Sequence, residues 1–190
     1  MLPSTLRFAV IALAVALVGC AKAGDKVSTA DSSAPTAAKV DSEKVGATIS
    51  WDAATKTATI PIVAGMTSSS GGWNFNGYAR GEMHIVVPVG AKIVLRFSNE
   101  NVVPHSVMIV AGSEAALPTA PGTPAFRGAA TRNAADGLLS GGTDEARFTA
   151  AKAGKYLLAC GIPGHAQSGM WDWFEVSATA QAPSVSTSNK

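Results

Sequence analysis

The segment from Cys160 to Trp171, CGIPGHAQSGMW, constrains the fold more than any other part of the sequence. Cys160, His165 and Met170 recur at every fifth position, a spacing that neither regular element can gather at one point. Successive members would lie about 140° apart around an α-helix, and they would lie on opposite faces of a β-strand. The glycines and the proline between them predict a loop instead. A loop can place the three side chains around one centre.

The remainder of the chain reads as short β-like runs separated by turn residues. Ile93, Leu95 and Phe97 share one face of the run 92–98, which is the period-two pattern of a half-buried strand. Eight runs of this kind are recognisable: 47–51, 56–63, 83–89, 92–98, 106–111, 145–150, 155–160 and 171–176. They predict an all-β sandwich or barrel of about eight strands. The Gly-, Ala- and Pro-rich stretch 112–143 is predicted to be a surface excursion.

The first residues predict export from the cytoplasm. Phe8 to Val18 is an uninterrupted apolar run of eleven residues, which is too short to span a membrane and has the length of a signal-peptide core. It ends in LVGC, which resembles a bacterial lipoprotein signal, with cleavage after residue 19 and acylation of Cys20. The alternative is an ordinary secretory signal with a chance cysteine. The lipoprotein interpretation implies a lipid anchor on the extracytoplasmic, periplasmic side of a membrane.

Composition then divides the mature chain. Residues 20–46 carry no aromatic side chain and are predicted to be a flexible tether. Residues 47–178 form the predicted domain, and 179–190 are predicted to be a disordered tail. The domain has nine Lys plus Arg and nine Asp plus Glu, so its net charge of 9 − 9 = 0 argues against nucleic-acid binding.

A lipidated Cys20 leaves Cys160 without a disulfide partner, and metal ligation, nucleophilic catalysis or simple burial would each account for such a lone thiol. A further histidine ligand must be His84 or His105. His105 is the stronger candidate, since Pro104 stiffens the chain before it and a strand follows it, whereas His84 lies inside a strand. Two imidazoles, a thiolate and a thioether form the trigonal set with a weak axial Met that suits copper. Such a site exchanges single electrons with little rearrangement.

Two segments resemble a known family. The Cys-His-Met loop is similar to that of sulfocyanins and rusticyanins, and WNFNGYARGEMHIVVPVGAKIVLRFSN (73–99) resembles sulfocyanin. The resemblance extends from about Gly71 to Val176. It implies a cupredoxin-like Greek-key domain that holds one copper ion, cycling between Cu(I) and Cu(II). The implied ligands are His105, Cys160, His165 and Met170.

The same resemblance implies a monomeric electron carrier rather than an enzyme. Its partners would be membrane respiratory components such as a cytochrome and a terminal oxidase. One position departs from the family pattern, because Ser106 stands where most cupredoxins have Asn after the first histidine ligand. We expect Ser106 to make a weaker or different hydrogen bond near the thiolate, which would affect the potential.

Trp171 and Trp173 lie on one face of the last predicted strand. They either form an apolar docking patch near the metal or pack beneath the excursion 112–143, and the sequence leaves both alternatives open.

Two other functions compete with electron transfer. One is a thiol enzyme that uses Cys160 with His165 or His105, although no orienting partner is evident and Met170 would have no role. The other is a copper storage or delivery protein, which would need a more exchangeable site.

Overall fold

A computed structural model describes residues 48–113, 117–119 and 122–188. The predicted signal peptide, the acylated Cys20 and the tether 20–46 lie outside the described residues. Within the described ranges, no helix is long and apolar enough to cross a membrane.

Nine β-strands and one short 3₁₀ segment, Ser69–Gly72, make up the regular structure of the described residues. The strands are β1 Ser50–Asp52, β2 Thr57–Ala64, β3 Met83–Pro88, β4 Lys92–Asn99, β5 Met108–Val110, β6 Thr143–Thr149, β7 Gly154–Ala159, β8 Trp171–Ser177 and β9 Ser184–Thr187. Each of the eight predicted runs corresponds to one of β1–β8.

The strands form two mixed sheets. The first has the order β1-β2-β4-β6 and the second the order β5-β7-β8-β3-β9. β2 pairs in parallel with β4, and β3 pairs in parallel with β8, whereas the remaining pairs are antiparallel. Chain neighbours β3 and β4 therefore lie in different sheets. The predicted all-β sandwich is confirmed.

Alternating side chains from both sheets form the main core. In β4, Ile93, Leu95 and Phe97 are almost fully buried, as the sequence pattern predicts, and in β8 Phe174 and Val176 face the same core. Burying each large apolar side chain stabilises the fold by about 1.5–3 kcal/mol. This core holds the two sheets together and so fixes the ends of the loops that connect their strands.

The predicted disordered tail is wrong for Ser184–Thr187, which forms β9 and pairs with β3 in the register Ile85↔Val185. Val185 packs against the main core, and β9 covers what would otherwise be an open edge of β3. The sequence SVST carries one apolar residue, so its strand pattern is too weak to recognise.

The described parts of the excursion 112–143 cover the outer face of the second sheet. Leu117, Ala130 and Ala134 pack there against a second apolar cluster that contains Trp171, which is 2% exposed. Trp173 is half-buried and lies against Trp171 with a centroid separation of 5.2 Å. Trp171 therefore packs in the cluster that the excursion contacts, and its burial leaves no exposed surface for docking, whereas the docking alternative for the half-buried Trp173 stays a prediction.

Because Trp171 is a core residue, Trp171→Ala should lower the free energy of unfolding by about 3–5 kcal/mol. Denaturant titration of the metal-free protein measures this. Leu139→Ala is the control: Leu139 is 73% exposed, so its loss should change stability by less than about 0.5 kcal/mol. Equal stability of the two variants would contradict the assignment of Trp171 to the core.

Candidate metal centre

Three predicted ligands meet at one end of the sandwich. One ring nitrogen of His105, Sγ of Cys160 and one ring nitrogen of His165 all lie within 4.8 Å of one another. Cys160 Sγ is 3.4 Å from His165 Nδ1. His105 and Cys160 are buried, whereas His165 is partly exposed. The structure thus brings together side chains that are up to 60 positions apart, from 105 to 165.

The loop that supplies two of these side chains is closed by backbone hydrogen bonds. β7 and β8 are antiparallel neighbours, paired through Ala159 and Trp171, so residues 160–170 form the connection of a hairpin. The N–H of Cys160 donates to the carbonyl of Met170 at 3.1 Å, and the N–H of Met170 donates to the carbonyl of His165 at 3.0 Å. These two bonds bring the backbones of Cys160, His165 and Met170 close together.

Met170 lies at the base of this loop. Its side chain is 0% exposed and belongs to the same buried cluster as Cys160. The backbone of Met170 therefore lies next to that of Cys160, and the predicted role of its side chain as the weak axial ligand stays a prediction.

His105 arrives from a different part of the fold. It follows β4 and forms an isolated antiparallel bridge with Leu138. The N–H of His105 donates to the Leu138 carbonyl at 3.1 Å, and the Leu138 N–H donates back at 2.7 Å. His84, the other histidine candidate, lies in β3 with Nε2 3.1 Å from Oε2 of Glu175. The group therefore contains His105 and not His84.

Ser106 ties the two ligand-bearing segments together. Its hydroxyl accepts the N–H of Gly161 at 2.9 Å and donates to the carbonyl of Ala134 at 2.8 Å. Its Oγ also lies 3.7 Å from Cys160 Sγ. A serine hydroxyl has one proton, so donation to Ala134 leaves none for the sulfur. Serine thus binds the His105 strand, the cysteine loop and the excursion to one another.

Trp73 is the site residue that sequence reasoning missed. Its ring meets that of His165 at a centroid distance of 4.4 Å and that of His105 at 5.6 Å, with near-perpendicular planes in both pairs. Its position directly before NFNG, inside a segment already noted for its resemblance, was an available signal. No periodicity, however, connects residue 73 with residues 105 and 165.

Burial sets the protonation of the ligands. Desolvation, together with the neighbouring His165, lowers the pKa of His105 from its ordinary value of 6.5 to about 4. Desolvation also lowers the pKa of His165 and raises the pKa of the Cys160 thiol. Both imidazoles are therefore neutral near pH 7, which is the state that binds a metal.

The donor set fits a metal ion. Both ring nitrogens of His105 are buried without a hydrogen-bond partner among the described residues, an arrangement that is costly unless another group binds one of them. Two imidazoles and a thiolate, together with the predicted thioether of Met170, match copper better than zinc, which is usually held by four Cys or His ligands. His105, Cys160 and His165 would hold this copper ion, with Met170 as the predicted fourth ligand.

Comparisons with known proteins agree with this chemistry. Residues 44–187 match the model of the sulfocyanin (SoxE) domain. The chain is 32% identical over 143 residues to the sulfocyanin of Sulfolobus acidocaldarius, and the alignment covers 70% of each protein.

Solved structures with similarity include auracyanin A, a "blue" copper protein from Chloroflexus aurantiacus. It has 27% identity, covers 64% of this chain and 99% of that one, and gives a TM-score of 0.42. Reduced rusticyanin has 21% identity, covers 70% of this chain and 90% of that one, and gives a TM-score of 0.45.

The lowered pKa of His105 predicts a pH dependence of stability in the metal-free protein. Below pH 6.5 the unfolded chain protonates this histidine, whereas the folded chain does so only near pH 4. The unfolded state therefore binds more protons in this window, and the free energy of unfolding should fall by up to about 3 kcal/mol as the pH decreases through it.

Denaturant titrations between pH 7 and pH 4 measure this slope. His105→Gln should make it shallower, because glutamine does not titrate and only the lowered pKa of His165 then contributes with this sign. Leu139→Ala, which changes an exposed side chain that does not titrate, is the control and should keep the wild-type slope. A His105→Gln variant that kept the wild-type slope would contradict the assignment.

Proposed function

This chain belongs to the sulfocyanin family, and from that membership we propose that it carries single electrons between membrane respiratory components. It is a blue-copper protein of the cupredoxin type. Copper, when bound, supplies a one-electron redox couple. The finer steps of the proposal concern what the residues of this chain do around that ion.

The observation that carries the proposal is the convergence of the ligands. His105, Cys160 and His165 come from loops that the two sheets hold, and their donor atoms converge to within 4.8 Å of one another. Ser106 bridges two of these loops through its bonds to Ala134 and Gly161. A site held in this way resists rearrangement, so electron exchange needs little reorganisation.

His165 is the proposed point of electron exit. It is partly exposed, whereas His105 is 0% exposed and Cys160 is 2% exposed. Among the three converging ligands, only His165 therefore reaches the surface. A partner that contacts its exposed edge would be separated from the ion by a single imidazole.

The segments that carry the His105 bridge expose apolar side chains. Three of the exposed large hydrophobic residues, Val102 at 87%, Val103 at 38% and Leu139 at 73%, lie within three residues of His105 or directly after Leu138, its bridge partner. An uncharged domain gains little from electrostatic steering, so an apolar contact is the appropriate docking surface. These residues replace Trp171 as the proposed contact with a cytochrome or a terminal oxidase.

Cell location completes the proposal. An acylated Cys20 and the tether 20–46 would hold a monomeric domain on the extracytoplasmic, periplasmic side of the membrane. The support is the LVGC sequence at the end of the short apolar run.

The competing functions fit the site less well. Burial raises the pKa of the Cys160 thiol, which disfavours the free thiolate that a thiol enzyme needs. Copper delivery needs an accessible, exchangeable ligand cluster, whereas two of the three converging ligands are almost fully buried.

Cys160 supplies the thiolate, so the purified wild-type protein should develop an intense visible band near 600 nm when Cu(II) is added, as the family resemblance implies. Cys160→Ser should abolish this band, because the charge transfer originates on sulfur. His84→Ala, which changes the histidine outside the group, should keep it. A colourless wild-type protein after Cu(II) addition would refute the proposed function.

The proposed docking surface is tested by electron self-exchange between two copies, measured from NMR line widths in mixtures of both redox states. Val102→Glu and Leu139→Glu should each slow exchange by about tenfold, because a carboxylate must be desolvated on close approach. Val89→Glu is the matched control, since Val89 is 42% exposed and its N–H donates to the carbonyl of Ser177, at the end of β8 away from the ligand loop. Equal rates in all three variants would remove the docking role.

A further inference from the structure

We propose that Trp73 is a positioning residue of the metal centre: its indole covers both histidine ligands, fixes the planes of their rings and keeps water away from them. This inference rests on the copper site proposed above and assigns that site a residue outside the expected ligand set.

Three rings form one contact cluster. Trp73 lies 4.4 Å from His165 at an interplanar angle of 71°, and 5.6 Å from His105 at 89°. The two imidazoles lie 5.2 Å apart at 67°. Edge-to-face packing is a favoured geometry for aromatic pairs. Each ring therefore restricts the rotation of the other two.

The buried side-chain amide of Asn74 holds the loop around Trp73 together through hydrogen bonds. Asn74, which is 0% exposed, donates from Nδ2 to the carbonyls of Thr67 and Ser69 at 2.8 and 3.0 Å. Its Oδ1 accepts the N–H of Gly77 at 3.2 Å. One side chain thus joins three points of the loop on both sides of Trp73.

A second amide braces the loop from outside. Asn101 Nδ2 donates to the carbonyl of Gly72 at 3.3 Å. Gly72 has a φ of +87°, and a Cβ atom there would lie 2.4 Å from Asn101 Nδ2. Only glycine therefore permits this approach. Asn101 lies four residues before His105, so the bond connects the Trp73 loop to the histidine segment.

Contact with Trp73, rather than a hydrogen bond, orients the ring of His105. A metal-bound histidine usually donates its second ring N–H to a carboxylate or a carbonyl, which fixes the ring plane. Neither ring nitrogen of His105 has such a partner among the described residues. The contacts with Trp73 and His165 are the ring contacts that take its place.

The indole also changes the environment of the site. Apolar rings in place of water lower the local dielectric, which favours the redox state with the smaller charge. Cu(I) with one thiolate has no net charge, whereas Cu(II) with one thiolate carries +1. Loss of the indole should therefore lower the reduction potential and open the ligands to competing water.

The test compares substitutions at Trp73 with the same substitutions at Trp51. Trp51 is a matched control because it is also a partly buried tryptophan packed against the main core. It pairs with Ala58 near the start of β2, whereas Trp73 lies beyond the end of that strand. The readouts are the reduction potential from redox titration and the rate of Cu(II) loss to EDTA, both on copper-loaded protein.

Trp73→Ala should lower the potential and speed copper loss by about tenfold or more, as expected when a shielding contact to a metal ligand is lost. Trp73→Phe keeps a ring and should fall between Trp73→Ala and the wild type. Trp51→Ala and Trp51→Phe should match the wild type in both readouts. A merely structural role for Trp73 would change stability without lowering the potential.

Two other outcomes would contradict these proposals. If the Trp73 and Trp51 variants give the same potential and the same rate while all of them are blue, the positioning role is overturned and the copper site stands. If the wild type itself stays colourless, the proposed function has failed instead. Should Trp73→Ala not fold, as judged by far-UV circular dichroism, Trp73→Phe decides by the same two readouts.

Discussion

The pairing of β7 with β8 is the constraint on which the metal centre depends. Register between Ala159 and Trp171 brings both ends of the ligand loop to one point. The hydrogen bond from the Cys160 N–H to the Met170 carbonyl then closes that loop. The buried core stabilises the pairing of β7 with β8, and this pairing in turn fixes the positions of the ligands in the loop. The five-residue spacing therefore belongs to the loop of a β-hairpin and not to a helix or a strand.

A second constraint comes from the connections between segments that are distant in the chain. His105 bridges Leu138, and Ser106 joins Ala134 to Gly161. The excursion is therefore part of the support for the site, and it also covers Trp171 on the outer face of the second sheet. The ring nitrogens of His105 are buried without a polar partner among the described residues, and a bound metal would offset this cost by using one of them. Aromatic contact with Trp73 orients the ring instead of a hydrogen bond.

Much of the fold was predictable because its strands carry a strong local signal. Ile93, Leu95 and Phe97 alternate along β4 and all enter the core. β9 was missed because SVST holds only one apolar residue, so its existence depends on the open edge of β3. At the site, His105, Cys160 and His165 were predictable from residue type and spacing. The position of the tryptophans was not, since a strand has two faces and the sequence does not say which of them an excursion covers.

By itself, the sequence determined the donor chemistry and the class of fold, because side-chain donors and two-residue periodicity are local properties. Tertiary structure alone decided that Trp73 contacts both imidazoles and that Trp171 is buried rather than exposed. It also decided that the Ser106 hydroxyl bonds backbone groups on two other segments. These are contacts between segments tens of residues apart, and only the packing of the two sheets and their loops sets such distances.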